Sequence, residues 1–210
     1  MLVRAREGAA RQRAEGEEDG DDDNDRSAQD EDDEDFDPSQ PSLDLEERDR
    51  DGATPLHVAL GSRQLESARL LMEAGAAVNK RLEGSPPGHI ALAVGSVGPR
   101  GDFAQSALKL LLDHELDVSA RDDRGQTLLH LAAHFGLKGC MSTLLQTPGG
   151  KEMVDSKERL GHRPLHMASA MGHVGAVEAL IEAGCDCSAA TLHGSTALHV
   201  ACSKGRWEVC

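Results

Sequence analysis

The nine residues from Gly52 to Leu60, GATPLHVAL, return four more times in the same order, as GSPPGHIAL, GQTLLHLAA, GHRPLHMAS and GSTALHVAC. Each copy carries a histidine at the same place: His57, His89, His130, His166 and His199, separated by 32, 41, 36 and 33 residues. A segment repeating every few tens of residues marks stacked units that share one continuous core. That limits the fold before any single side chain is weighed.

The rest of each unit predicts a pair of helices. Thr54 and Pro55 are an N-cap and a first-turn proline side by side, two helix-start signals. A glycine stands six residues after the histidine in the later units (Gly95, Gly136, Gly172, Gly205), and paired apolar residues such as Leu71-Met72 and Leu180-Ile181 mark a second helix. Gly75 and Gly184 follow as C-caps. Composition agrees: the aromatics are Phe36, Phe103, Phe135 and Trp207, with no tyrosine, so the core must be aliphatic. Leu, Ala and Met suit helices better than strands.

The formal net charge of −15 is unevenly placed. Between Glu15 and Asp37 fifteen residues are acidic and Arg26 is the only base, which leaves residues 38–210 at −4. Residues 1–42 are expected to form a disordered acidic tail, because so charged a run cannot bury enough apolar surface to offset ordering. Such a tail acts as a solubilising spacer, or as an electrostatic arm that steers toward a basic partner or competes with nucleic acid. The first fourteen residues lack the apolar run of a secretory signal, and no stretch reaches the roughly 18 apolar residues of a membrane helix. Five cysteines form no obvious disulfide framework, so a cytoplasmic or nuclear setting is expected.

Residues from about 48 to 210, within a domain placed at 43–210, resemble the ankyrin repeat family, whose pattern is G-x-T-P-L-H-x-A-A, a glycine, V-x-x-L-L-x-x-G-A, and a polar hairpin. GHRPLHMASAMGHVGAVEALIEAGCD carries the resemblance best, and GATPLHVAL with LLMEAGAAVN nearly as well. The resemblance implies an all-α ankyrin-repeat solenoid of stacked helix-turn-helix units with β-hairpin or loop tips. Units are placed at about 48–81, 82–122, 123–158, 159–191 and 192–210. The second unit departs from the pattern at Pro86-Pro87-Gly88, which should weaken its first helix, and carries about eight extra residues, SVGPRGDF, between its helices. The third has Pro148 in place of the closing glycine, then three extra residues near TPGGKEM. The fifth stops before its apolar pair, which is read as a truncation with more chain expected beyond Cys210.

Five regularly placed histidines invite a chemical reading, but stacking excludes it. Packed helices lie about 8–10 Å apart, whereas zinc ligands converge at about 2 Å and a general base must come within about 3 Å. A histidine in a capped first turn can instead bond locally through one ring nitrogen and reach the adjoining loop through the other. The resemblance implies that this residue is structural and paired with the threonine of its turn: Thr54 with His57, Thr127 with His130, Thr196 with His199. His89 and His166 lack that threonine, and Pro55 and Pro164 complete the turn set. Cys185 and Cys187 with His193 have no second ligand pair, and Arg100-Gly101-Asp102 recurs too easily to carry weight. No phosphate loop or hydrolase motif is present, so neither an enzyme nor a cofactor is expected.

Function is therefore expected in binding, as a scaffold or protein-interaction module. The resemblance places residues four and five after each histidine on the concave face, where His134, Phe135 and Met171 offer apolar anchors. The tips offer Lys80, Arg81, Arg121, Asp123, Arg124, Lys157 and Arg159, which can meet an acidic partner or the chain's own tail. Protein partners are expected; small molecules and nucleic acid are not. Two alternatives are a regulatory or targeting segment of a larger enzyme (a kinase, transferase or ubiquitin ligase) and an acidic histone- or nucleic-acid-mimicking factor.

Overall fold

The structure, a computed structural model, describes residues 44–96 and 102–209. The chain divides into two units, Met1–Gln40 and Pro41–Cys210, and only the second contains described residues. The acidic-tail expectation, most of the SVGPRGDF stretch and Cys210 lie outside them.

Ten helices follow one another among the described residues: α1 Pro55–Gly61, α2 Leu65–Glu73, α3 Pro87–Gly95, α4 Asp102–Asp113, α5 Leu128–Phe135, α6 Lys138–Gln146, α7 Pro148–Glu152, α8 Pro164–Met171, α9 Val174–Glu182 and α10 Ala197–Ser203. A 3-10 turn, Trp207–Val209, comes last. The first helices α1, α3, α5, α8 and α10 pack in series, and the second helices α2, α4, α6 and α9 form a parallel row. Two rows of helices thus enclose one aliphatic core, with Leu56, Leu60, Leu92, Leu108, Leu129, Met141, Leu144 and Leu180 fully buried. The tips are turns. Their only strand-like pairing among the described residues is two isolated bridges, Leu82 with Ser85 and Ala190 with Thr196.

Two residues after each histidine stands a buried alanine: Ala59, Ala91, Ala132, Ala168 and Ala201. A single methyl there lets successive first helices come close, since a larger group would force them apart. The histidines then cross the gap. Thr54 Oγ1 lies 2.7 Å from His57 Nδ1, Thr127 Oγ1 2.9 Å from His130 Nδ1, and Thr196 Oγ1 2.8 Å from His199 Nδ1. The backbone N–H of the same N-cap residue also donates to Nδ1, and in the fourth unit Arg163 does so at 3.2 Å without a threonine. Nδ1 therefore accepts, and the ring proton sits on Nε2. That nitrogen donates into the next unit's turn: His89 to Gln126 O at 2.9 Å, His130 to His162 O at 3.1 Å, His166 to Ser195 O at 3.2 Å. Pro86 has no N–H, and His89 Nδ1 is left buried without a partner among the described residues.

The turns receiving these bonds are closed by an acid or hydroxyl. Asp49 Oδ1 accepts from Asp51 N and Ala53 N, Asp122 Oδ1 from Arg124 N and Gln126 N, and Glu158 Oε1 from Leu160 N and His162 N. In the second unit Arg81 occupies that place and cannot accept. The turn tightens instead onto Leu82 and Ser85, with Glu83 and Gly84 both at positive φ. His57 Nε2 faces this altered loop, near the Lys80 backbone, without a well-formed bond.

Several expectations change in detail. Pro86-Pro87-Gly88 does not weaken α3, which at nine residues is longer than α1, because neither proline falls where a helical N–H is needed. Asp102 and Phe103 of the insert are not loop but open α4, and Phe103 is buried beneath the Arg63 guanidinium, 5.2 Å from its ring centroid. Gly95 ends α3 without positive φ; its lack of a side chain admits α4, since a Cβ there would lie 2.5 Å from that of Ala104. The residues around Pro148 coil into α7, where Thr147 Oγ1 donates to Leu144 O and accepts from Gly150 N.

Two measurements follow. Burial lowers the basicity of His57, His89 and His166, and holds His130 to about 4. Between pH 7 and 5 the unfolded chain takes up more protons on these rings than the native one does, so stability is full above the ordinary histidine value and falls below it. His130 alone contributes a loss of about 2 kcal/mol over that window. The urea midpoint should drop from pH 7 to pH 5; a flat profile contradicts the account. The second concerns Glu115, which takes φ 61 where the first and fourth units have Gly75 and Gly184. Glu115→Gly should raise stability by about 0.5–1 kcal/mol, and Gly184→Ala, with nothing within 4 Å of its Cβ position, should lower it by a similar amount.

Candidate functional site

The last turn of α5 presents His134 and Phe135, and the last turn of α8 presents Met171. Both helices end on a left-handed glycine, Gly136 and Gly172, because the chain must turn sharply into the second helix. The next unit then holds each end. His173 Nε2 donates to His134 O at 3.0 Å and its ring lies against Gly136, where a Cβ would come within 2.7 Å of it. Arg206 Nε donates to Ala170 O at 3.2 Å and its side chain lies against Gly172. A cation or imidazole at a helix C-terminus satisfies a carbonyl that has no intrahelical partner.

On this held platform the His134 and Phe135 rings meet edge to face, with centroids 4.9 Å apart. Phe135 is half-buried and packs against the core, and Met171 is 38% exposed. Burial lowers the His134 ring below its ordinary value, and the charges of His173 and Arg124 push the same way.

The sequence-predicted bases divide into two groups. Lys80 pairs with Glu46 at 2.8 Å, tying residues that precede α1 to the loop after α2. Arg121 donates to Gly125 O at 3.0 Å and Lys157 O at 2.9 Å, bridging two tips just as Arg48 bridges Gly52 O and Arg81 O. These act inside the fold. Arg81, Asp123, Arg124, Lys157 and Arg159 are exposed. Arg124 and Arg159 are neighbours, with Arg159 N donating to Arg124 O at 3.0 Å.

Sequence reasoning missed Leu160 and Leu192. They stand 55% and 72% exposed on adjacent tips, with Leu192 N donating to Leu160 O at 3.3 Å. The available signal was register: leucine occurs there at turn positions where the first and third units carry Arg50, Asp51, Asp123 and Arg124. Elsewhere two buried thiols are held protonated. Burial pushes Cys140 up to about 11, and burial with the neighbouring Cys187 pushes Cys185 up to about 12. Such thiols make poor nucleophiles.

The chain matches the family model described as ankyrin repeats (3 copies) over residues 97–191 and 149–210, and the single ankyrin repeat model over residues 51–81. It is similar to Rabankyrin-5 of Mus musculus, 31% identical over 165 residues, covering 76% of this chain and 13% of that protein. It is also similar to neurogenic locus notch homolog protein 1 of Mus musculus, 31% identical over 140 residues (66% of this chain, 5% of that one). A third relative is ankyrin repeat and SOCS box protein 3 of Homo sapiens, 33% identical over 91 residues (43% and 18%). The chain thus spans less than a fifth of the length of each. No helix among the described residues is long and apolar enough to cross a membrane. Repeats of this kind are in general non-catalytic protein-interaction modules, and the chain belongs to the ankyrin repeat family.

Proposed function

We propose that this chain is a protein-interaction module whose partner lies along the concave face, across the third and fourth units, touching both the ends of the first helices and the hairpin tips. The observation that carries this reading is the placement of Phe135 and Met171 at the ends of the packed helices α5 and α8, each end held from the following unit. Large apolar groups on a rigid platform suit an interface core, because little ordering entropy is lost when they are covered. The exposed bases at the tips would form its polar rim. Recognition then needs shape and a few anchors, and no chemistry.

The test compares two exposed substitutions, Met171→Glu on the proposed face and Glu178→Lys on α9 away from it, with folding checked by circular dichroism. Proteins retained from a cell extract by the immobilised chain should fall about tenfold or more with Met171→Glu, since a central anchor contributes on the order of 2 kcal/mol. Glu178→Lys should leave them unchanged. Equal retention by both variants would count against the concave face.

A further inference from the structure

Several bases of the tips are committed. Arg121 is taken up by two carbonyls, Lys80 by Glu46, and Arg163 by Asp155 at 2.9 Å and Asp186 at 3.5 Å. Arg124 and Arg159 are different. Both are exposed, and neither guanidinium has an acidic partner among the described residues. Their backbones are joined by the bond from Arg159 N to Arg124 O, so the two side chains leave neighbouring turns at a fixed spacing.

The acids of these turns are turned inward. Asp122 and Glu158 accept backbone N–H groups of their own loops. Burial would raise the Glu158 carboxyl, but the N–H groups of Leu160 and His162 and the His162 ring outweigh it and hold it charged, below its ordinary value. Lys157 is exposed as well, and Asp123 is the exposed acid set against these three bases. Across residues 121–126 and 157–163 the exposed charged side chains are therefore three bases against one acid, although residues 38–210 carry −4 overall. α5 and α8 lead from these two turns to Phe135 and Met171, so on the concave-face reading the bases and the apolar groups line one groove, and Arg124 adds to the lowering of the His134 ring beside Phe135.

We propose that this groove takes an acidic peptide bearing a large apolar side chain, which seats on Phe135 and Met171 while flanking carboxylates pair with Arg124 and Arg159. The proposal rests on the concave-face reading above and adds the chemistry of the partner. Guanidinium suits the role, because its planar fork can take a carboxylate through two parallel bonds. Spacing favours a peptide in extended form: the two arginines stand on consecutive turns, so their carboxylates must come from residues a few positions apart, with the apolar group between or beside them. Leu160, beside Arg159, and Leu192, on the next tip along the stack, would receive a second apolar residue.

The experiment pans a display library of random dodecapeptides against the full 210-residue chain and measures the enriched peptides by fluorescence anisotropy. Enriched sequences should carry at least two Asp or Glu residues around a Phe, Trp, Leu or Met. Their affinity should fall as salt rises from about 50 to about 300 mM. The double variant Arg124→Glu/Arg159→Glu should bind them about tenfold or more weakly, because repulsion replaces attraction at the rim. Both positions are exposed, so this variant should retain the helical spectrum of the parent. No enrichment, enrichment of neutral or basic peptides, or binding by the double variant within about twofold of the parent overturns the proposal. Peptides lost in Met171→Glu but kept by the arginine variant overturn the acidic assignment and leave the concave face standing. Peptides indifferent to both overturn both readings.

Discussion

At His89, His130 and His166 one imidazole joins a helix pair to the next, and the rest of the molecule is arranged around that bond. A first helix of seven to nine residues is too short to be stable alone. Its apolar side is covered only when another unit stacks on it. At His130 and His166 the histidine meets both needs with one ring. Its Nδ1 accepts from the N-cap and fixes the start of its own helix; its Nε2–H reaches the turn of the next unit and fixes the distance between them. Both roles require the neutral ring, which is why burial at His130 is compatible with full hydrogen bonding. The buried alanine two residues on sets the matching spacing, since it leaves room for the neighbouring helix.

Much of this was legible in the sequence because it depends on local chemistry. Thr-Pro before an apolar residue starts a helix wherever it occurs, and Gly136, Gly172 and Gly205 take the positive φ that their place after the first helix demands. What was not legible depends on what packs across the stack. Gly95 looks like its counterparts but is needed for the approach of α4. Arg63, with φ 60, shows that the same bend can form without glycine. Gly88, in the place of a leucine, reads as a weakness. In the fold, the space is filled from the next unit, since a Cβ there would lie 3.2 Å from Leu128. None of these neighbours is within reach in sequence.

The candidate site divides along the same line. Residues four and five after each histidine were singled out by the resemblance to ankyrin repeats, and they are where the half-exposed Phe135 and Met171 stand. The bases were identifiable as bases, but their availability was not. Arg121 finds its acceptors in its own turn and in the loop 36 residues on, and Lys80 finds Glu46 34 positions earlier. Arg124, three residues from Arg121, finds no acid among the described residues. A charge count cannot separate the two, because the separating feature is the carbonyl geometry of adjacent turns.

That geometry also decides how rigid the platform is. The carbonyls at the ends of α5 and α8 are bonded by His173 and Arg206, each the seventh residue after the histidine of the following unit. The surface offered by one unit is thus shaped by the next. In a stack where each unit touches only its neighbours, such bonds carry the coupling between units. Loosening His173 would free the end of α5 and let Phe135 and His134 move without any change at the surface itself. Affinity would then fall through lost preorganisation, because the partner would have to order the platform as it binds. The same bond that caps a helix in this fold therefore sets the precision with which its apolar anchors are held.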